Sequence, residues 1–252
     1  MLNNTDKEWE SYGKNEPYYG VISNKRFKRS NLTKEARVQF FRRGHKHIHN
    51  VLDNIRAHID PDFLIKTALD FGCGVGRLII PLSKISERVT GVDVSESMLD
   101  EAKLNCDAQQ VKNATFIKSD DKLSLLSETY NFIHSYIVFQ HIPVRRGERL
   151  FENLLSKLED GGVGVFHFTY SNELKFRKIA AFLKNNIPFA KNVINLIKGR
   201  NFSDPVMQMN EYYLNTLFRL LQRNNINNVY IVFTDHASCF GMILYFQKEK
   251  KT

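Results

Sequence analysis

The sequence predicts an α/β fold, a mostly parallel sheet covered by helices on both faces. Three observations predict it. From Thr67 onward, short apolar strands alternate with helical patterns. A glycine-rich turn, Gly72-Cys73-Gly74-Val75-Gly76, falls where the first strand meets a helix. The chain has 252 residues, 42% of them hydrophobic, which suits one such domain with additions and a sizeable core.

The elements follow in order. A polar lead with several aromatics precedes a helix over 32–59. Leu32-Thr33 before Lys34-Glu35-Ala36 reads as a capped start, and Val38, Phe41, Ile48, Val51, Leu52, Ile55 and Ile59 recur near helical spacing. Asp60-Pro61 ends it. Residues 1–62 therefore read as an amino-terminal helical extension. Strands are expected at 67–72, 89–93, 114–118, 131–138 and 163–169, with helices near 76–85, 95–109 and 145–158. Gly161-Gly162 is expected to close the last helix. Residues 67–170 thus form the binding core. The segment 171–209 breaks the alternation: from Leu174 through Ser203 it has no Asp or Glu but carries Lys175, Arg177, Lys178, Lys184, Lys191, Lys198 and Arg200. It reads as an inserted basic amphipathic helical segment. Three roles stay open for it: a lid over the acceptor pocket, a peripheral contact with an anionic membrane, or a packed decoration. Residues 210–252 supply a helix over 211–223 and strands near 228–234 and 240–247, an antiparallel pair closing the sheet.

Composition bounds the partners. The formal charge of +9 favours an anionic partner: nucleic acid, an acidic or phosphorylated small molecule, or a membrane surface. No apolar run approaches the ~20 residues that span a bilayer, so no transmembrane segment is expected. The lead lacks the apolar core of a secretory signal. Cys73, Cys106 and Cys239 lie far apart with no CxxC pair, which argues against disulfides or structural zinc and suits the cytoplasm. His45 and His49 share a helical face, but no acidic or cysteine partner sits at ligand spacing. The run reads as a solvated basic face, and no metal is expected.

The strongest chemical signal is Leu69-Asp70-Phe71-Gly72-Cys73-Gly74-Val75-Gly76-Arg77. Glycines let the backbone approach a ligand closely, and the helix amino terminus beyond favours a carboxylate. The spacing is G-x-G-x-G with an acid two residues ahead, whereas a dinucleotide fingerprint wants G-x-G-x-x-G. Asp70 would repel a diphosphate yet suit a zwitterionic sulfonium, which favours S-adenosylmethionine (SAM) over NAD. Asp93 ends the second strand about 20 residues on, where a carboxylate can accept from both ribose hydroxyls. Val94 follows it, and Met98 is placed to pack on the adenine or in the core. Ser119-Asp120-Asp121 ends the third strand, with Asp120 or Asp121 open as acceptor of the adenine amine.

Asp70–Gly76, Asp93 and Asp120 lie in the order and spacing of class I, Rossmann-like, SAM-dependent methyltransferase motifs, and this resemblance covers about Thr67 to Tyr170. It implies a seven-stranded sheet with one antiparallel closing strand. SAM would lie across the carboxyl ends of the first strands and leave as S-adenosylhomocysteine (SAH). On this reading Asp70, Gly72, Cys73, Gly74, Gly76, Arg77, Asp93, Val94, Met98, Ser119, Asp120, Asp121 and Ser135 form the cofactor site.

On the acceptor side, strand four runs into Ser135-Tyr136-Ile137-Val138-Phe139-Gln140-His141-Ile142-Pro143. A histidine follows this strand in many small-molecule members of the family, which makes His141 the candidate base, with capping of the next helix as its alternative role. Ser135-Tyr136-Ile137-Val138 is not the Asn/Asp-Pro-Pro-Tyr/Phe tetrapeptide of amino-directed nucleic-acid methyltransferases, so nucleic acid loses weight as a partner. Tyr136, Tyr170 and His236 are expected around the acceptor. Tyr19 has two readings, a fold over the site as in phosphoethanolamine-type enzymes or an anchor for the lead. His167 is expected in or beside the core. The stretch from His134 to Pro143, with the arginines and Gly-Gly after it, resembles methyltransferases of bacterial surface-polysaccharide pathways. That implies a sugar, nucleotide-sugar or phosphorylated head group as acceptor. The alternatives are an RNA methyltransferase, carried by the positive charge, and a non-catalytic SAM-binding regulator.

Overall fold

The computed structural model describes residues 5–173, 207–236 and 239–250. The lid expected over 171–209 lies largely outside them. Seven strands of the described residues form one sheet: β1 Thr67–Phe71, β2 Arg88–Asp93, β3 Ala114–Lys118, β4 Tyr130–Ser135, β5 Leu158–Asn172, β6 Val229–Asp235 and β7 Cys239–Gln247. Their order is β3-β2-β1-β4-β5-β7-β6, and β7 runs antiparallel to both its neighbours. The first five strands pair in parallel. The order reverses between β1 and β4, so a crevice opens at the carboxyl ends of these strands, where open α/β sheets bind ligands.

Helices α1 (Thr5–Asn15), α2 (Pro17–Val21), α3 (Lys34–His58), α4 (Ile79–Ser83), α5 (Glu96–Ala108), α6 (Val144–Lys157) and α7 (Leu214–Arg223) cover the sheet. The core divides into two buried clusters, one packed with α1 to α5 and the other with α6 and α7. Helix α3 starts where expected, with the Thr33 hydroxyl accepting from the Ala36 N–H. Its buried stripe is Phe40, Phe41, Gly44, Ile48, Val51 and Ile55, while Val38 is exposed. No helix among the described residues is long and apolar enough to cross a membrane.

Within the helical extension the lead itself forms α1 and α2, and α1 is fastened to α5 by side chains that no local pattern announces. Two local expectations change. Gly161-Gly162 does not close α6: β5 begins at Leu158, and Gly161 (φ 81°) sits in an irregular register against β4. Strand β4 stops at Ser135, because Ile137 has φ 60° and the chain turns into a 3-10 segment at Phe139–His141. A β-branched residue in that region is strained, and it lies at the carboxyl edge of the sheet.

Candidate active site

The glycine turn opens directly off β1. Gly72 and Gly74 have φ of 77° and 52°, values that favour glycine. A Cβ on Gly74 would stand 2.7 Å from Val21 Cγ2, and one on Gly72 would meet Val138 Cγ1 at 2.7 Å. The turn is thus lined by α2 on one side and the post-β4 loop on the other. Cys73 is buried, and desolvation with Asp93 and Asp70 pushes its thiol well up, so it is a packing thiol.

Asp93 closes the turn from the end of β2. One carboxylate oxygen accepts from the Gly74 N–H at 2.9 Å and the other from the Ser95 N–H at 3.0 Å. Burial outweighs these bonds and holds the carboxyl up at about 6. A carboxylate offers about four lone-pair sites, so two hydroxyl donors can still be received.

Just beyond, α1 caps α5. The Glu10 carboxylate accepts from Ser95 Oγ at 2.9 Å, Ser97 Oγ at 2.7 Å and the Ser97 N–H at 3.3 Å. Burial would raise Glu10, but the bonds from Ser97 and Ser95 bring it down to about 2. Met98 is buried beneath Gly20, and Val94 is half-buried beside Asp93.

The residues after β3 serve the loop. Ser119 donates its N–H to the Asp93 carbonyl. Asp120 is exposed and accepts from the N–H groups of Lys122 and Ser124, which hold it below the ordinary carboxylate range. Asp121 accepts from Arg146 Nε at 2.6 Å, and the same arginine grips both oxygens of Asp6 at 2.6 and 2.9 Å. Arg146 therefore ties α1 to the loop after β3.

On the acceptor side the expected residues separate. His141 is buried: Nδ1 donates to the Gln208 carbonyl at 2.7 Å, and Nε2 meets the Gln140 amide at 3.1 Å. Its ring lies edge-on to Trp9 at 5.0 Å, and desolvation lowers it to about 4. A base at His141 meets a ring whose two nitrogens are both engaged. Tyr136 and His236 lie together, 6.4 Å apart between centroids, with His167 5.4 Å from each. Tyr170 contacts Phe233 instead, and Tyr19 lies under the Lys28 ammonium. Its neighbour Tyr18 anchors the lead, with its hydroxyl donating to Glu101 and within 2.8 Å of Asn105 Oδ1. Ser135 is buried and donates to the Phe71 carbonyl at 3.0 Å.

Asp70 meets a histidine network that sequence spacing did not reveal. It accepts from His134 Nδ1 at 2.9 Å, and His134 Nε2 lies 3.0 Å from His47 Nε2. His47 belongs to the run read as a solvated face. His49 does lie on that face and meets Asp53 at 3.6 Å, but His47 points inward, its ring 4.0 Å from that of Tyr136. Among the described residues, no three His, Cys, Asp or Glu side chains group as a metal site. Arg77 is 8% exposed, its guanidinium carbon 5.9 Å from the Phe40 ring centre, and its Nε has no partner among the described residues.

Comparison with known proteins agrees with this fold. A methyltransferase domain family matches residues 68–162. A ubiquinone biosynthesis O-methyltransferase of Hydrogenovibrio crunogenus is 30% identical over 148 residues, 58% of each chain. One from Coxiella burnetii is 32% identical over 110 residues, 44% of this chain and 46% of its own. The chain thus spans about half the length of the curated relatives it matches. Among solved structures, magnesium protoporphyrin IX methyltransferase from Synechocystis PCC 6803 with bound SAH superposes with a TM-score of 0.64 at 19% identity, covering 97% of this chain and 98% of that one. An N-methyltransferase from Bradyrhizobium japonicum in complex with SAH gives 0.59 at 15% identity, covering 98% and 99%. Residues 68–162 thus match a methyltransferase domain, and the strand order is that of the Rossmann-like fold of its solved neighbours, the class I SAM-dependent methyltransferases.

Proposed function

We propose that this protein transfers a methyl group from SAM to a small polar acceptor, of the class of a sugar, nucleotide-sugar or phosphorylated head group. The observation that carries the cofactor half is Asp93. Its carboxylate is fixed by the Gly74 and Ser95 N–H groups and keeps lone pairs for two adjacent hydroxyls. The residues fit a ribose there, beside a turn whose glycines leave room for a ligand's amino-acid end. When bound, SAM supplies an activated methyl on a sulfonium that is a good leaving group.

The chain's own residues then have to position and protect. Gly72 to Gly76 hold the cofactor's amino-acid end, Asp93 the ribose, and Ser119 with Asp120 the base edge. Helix α1, pinned by Glu10 and Arg146, covers the carboxyl ends of the strands and limits water there. Alignment of acceptor and methyl accounts for much of the acceleration available to such a transfer. We assign His141 to positioning, because its bonds join Gln208 and Gln140, and Gln140 in turn receives the Thr169 hydroxyl. Three free, buried thiols agree with the cytoplasm as its compartment.

Calorimetric titration with SAM and SAH tests the reading. Micromolar binding is expected, weakened in Asp93→Ala by ~1.5–3 kcal/mol for the lost charge-assisted bonds. Wild-type affinity in that variant would remove Asp93 from the site, and no binding in the wild type would defeat the proposal.

A further inference from the structure

Asp70, His134 and His47 form one hydrogen-bonded line running from the glycine turn to helix α3. His134 is fully buried and gives its Nδ1 proton to Asp70. A neutral His134 then has a lone pair on Nε2, so His47 must donate from its own Nε2 across the 3.0 Å contact. That leaves the lone pair of His47 on Nδ1, and no described residue bonds to that atom. The line has the logic of an imidazole oriented and charge-stabilised by a carboxylate, lengthened by one ring.

What surrounds His47 points to a ligand. Its ring packs on Tyr136, the first residue past β4, and Tyr136 faces His167 on β5 and His236 past β6. His167 reaches across β7 to the Thr234 hydroxyl at 2.9 Å, a path that Gly241 leaves open, since a Cβ there would lie 2.8 Å from His167 Nε2. Two buried polar atoms lack a partner among the described residues, Arg77 Nε and His167 Nδ1, and both groups act electrostatically on His47. Buried donors and acceptors without partners are rare in folded proteins, and two beside one cluster of aromatic and histidine rings point to a group that binds there. Arg77 already feels the Asp70 carboxylate, but its Nε is left to donate to an acceptor oxygen, for which an anionic group is the strongest partner.

We propose that His47 is the catalytic base, positioned by His134 and Asp70, for an acceptor that carries a hydroxyl and an anionic group; this rests on the methyltransferase reading above. The acceptor oxygen bonds to the methyl carbon as the carbon–sulfur bond breaks and its electron pair stays on sulfur. The hydroxyl proton passes to Nδ1 of His47, and the positive charge is shared along His134 towards Asp70. In the ligand-free protein, burial with His134, Arg77 and His167 lowers His47 to about 2, so it stands neutral and gains the basicity of a catalytic base only with the acceptor bound. An anion beside Arg77 offsets that repulsion and raises the basicity of His47.

Three measurements on the full chain test this. Nitrogen-15 NMR of labelled histidines is expected to show His47 protonated on Nε2 and bare on Nδ1, with His134 protonated on Nδ1; a proton on Nδ1 of His47 overturns the assignment. Calorimetry is expected to find His47→Gln binding SAH within about threefold of wild type, since the residue touches acceptor rather than cofactor. Lost SAH binding in that variant overturns the proposal, whereas a wild type that binds no SAH withdraws the methyltransferase reading beneath it. Transfer from labelled SAM is then followed with glucose 1-phosphate, 4-hydroxybenzoate and neutral methyl glucoside. At least one anionic probe should be methylated, and the pair tells a sugar phosphate from an aromatic acid. His47→Gln should lower kcat by ~10²–10⁴-fold and flatten its dependence on pH. Undiminished kcat overturns the base; methylation of the neutral glucoside alone, or of no probe, overturns the acceptor class.

Discussion

Acidification from pH 7.5 to pH 5 should release the cofactor by protonating one residue. Asp93 sits at about 6 because it is buried at the end of β2. Ribose hydroxyls donate to an ionised carboxylate, so binding favours the deprotonated form and is lost as pH falls through about 6. With affinity proportional to the ionised fraction, SAH should bind about tenfold more weakly at pH 5 than at pH 7.5, or ~1.4 kcal/mol. Asp120 does not share this window, since the Ser124 and Lys122 N–H groups hold it below the ordinary range. Folding shows the opposite sign. A carboxyl raised in the folded chain favours the native state at low pH, and that contribution disappears as pH rises from about 4 through about 6. The rise in melting temperature that SAH produces should therefore be larger at pH 7.5 than at pH 5. Calorimetry with SAH from pH 5 to pH 8, in buffers of different ionisation enthalpy, gives both affinity and proton release. An affinity constant to within about twofold across that range would refute the placement of the ribose on Asp93.

Two further substitutions test the scaffold. Glu10→Ala removes the acceptor that serves Ser95 and Ser97 at the start of α5 and should cost ~1–2 kcal/mol, read as a lower melting temperature and faster amide exchange in α1. Because Glu10 stands at about 2, this stabilisation is present above the unfolded carboxyl range and disappears as pH falls towards 2, so wild type and variant should converge in acid. Gly147→Ala should destabilise by ~1–3 kcal/mol, because its Cβ would enter the Tyr212 hydroxyl that donates to Ile142; an unchanged denaturation midpoint would contradict this packing.

How much of this could be read from the sequence depended on the range of the interactions involved. The strand–helix alternation from Thr67, the turn at Gly72–Gly76 and the acid at Asp93 are local, and their periods survive in one sequence. Helix α1 was not visible as an element, because Glu10 and Asp6 find their partners on α5 and α6, 87 and 140 residues away. Gly161 read as a helix stop because a glycine at positive φ serves equally a helix end or an irregular strand register. The run His45 to His49 is not one face: His49 is exposed, His45 is half-buried, and His47 between them turns to the sheet. The run read as one solvated face, because what draws His47 inward is His134, 87 residues on.

Asp70 has two assignments, one from its motif and one from its partner in the fold, and one substitution decides between them. The motif assigns Asp70 to the cofactor, and in the folded chain the side chain is 2% exposed with one carboxylate oxygen accepting from His134 Nδ1. On the reading proposed above, the site holds two neighbouring acids with separate duties, Asp93 for hydroxyls and Asp70 for a histidine line. They repel each other, and Asp70 is one of the influences holding Asp93 up. Asp70→Asn keeps the side-chain volume and removes that charge. If the division is right, the variant binds SAH like wild type at pH 7.5, its affinity midpoint moves below about 6, and His134 changes its proton position by NMR. If Asp70 belongs to the cofactor, affinity collapses at every pH. The direction of the midpoint matters most, because a merely disrupted site would lose affinity without moving it.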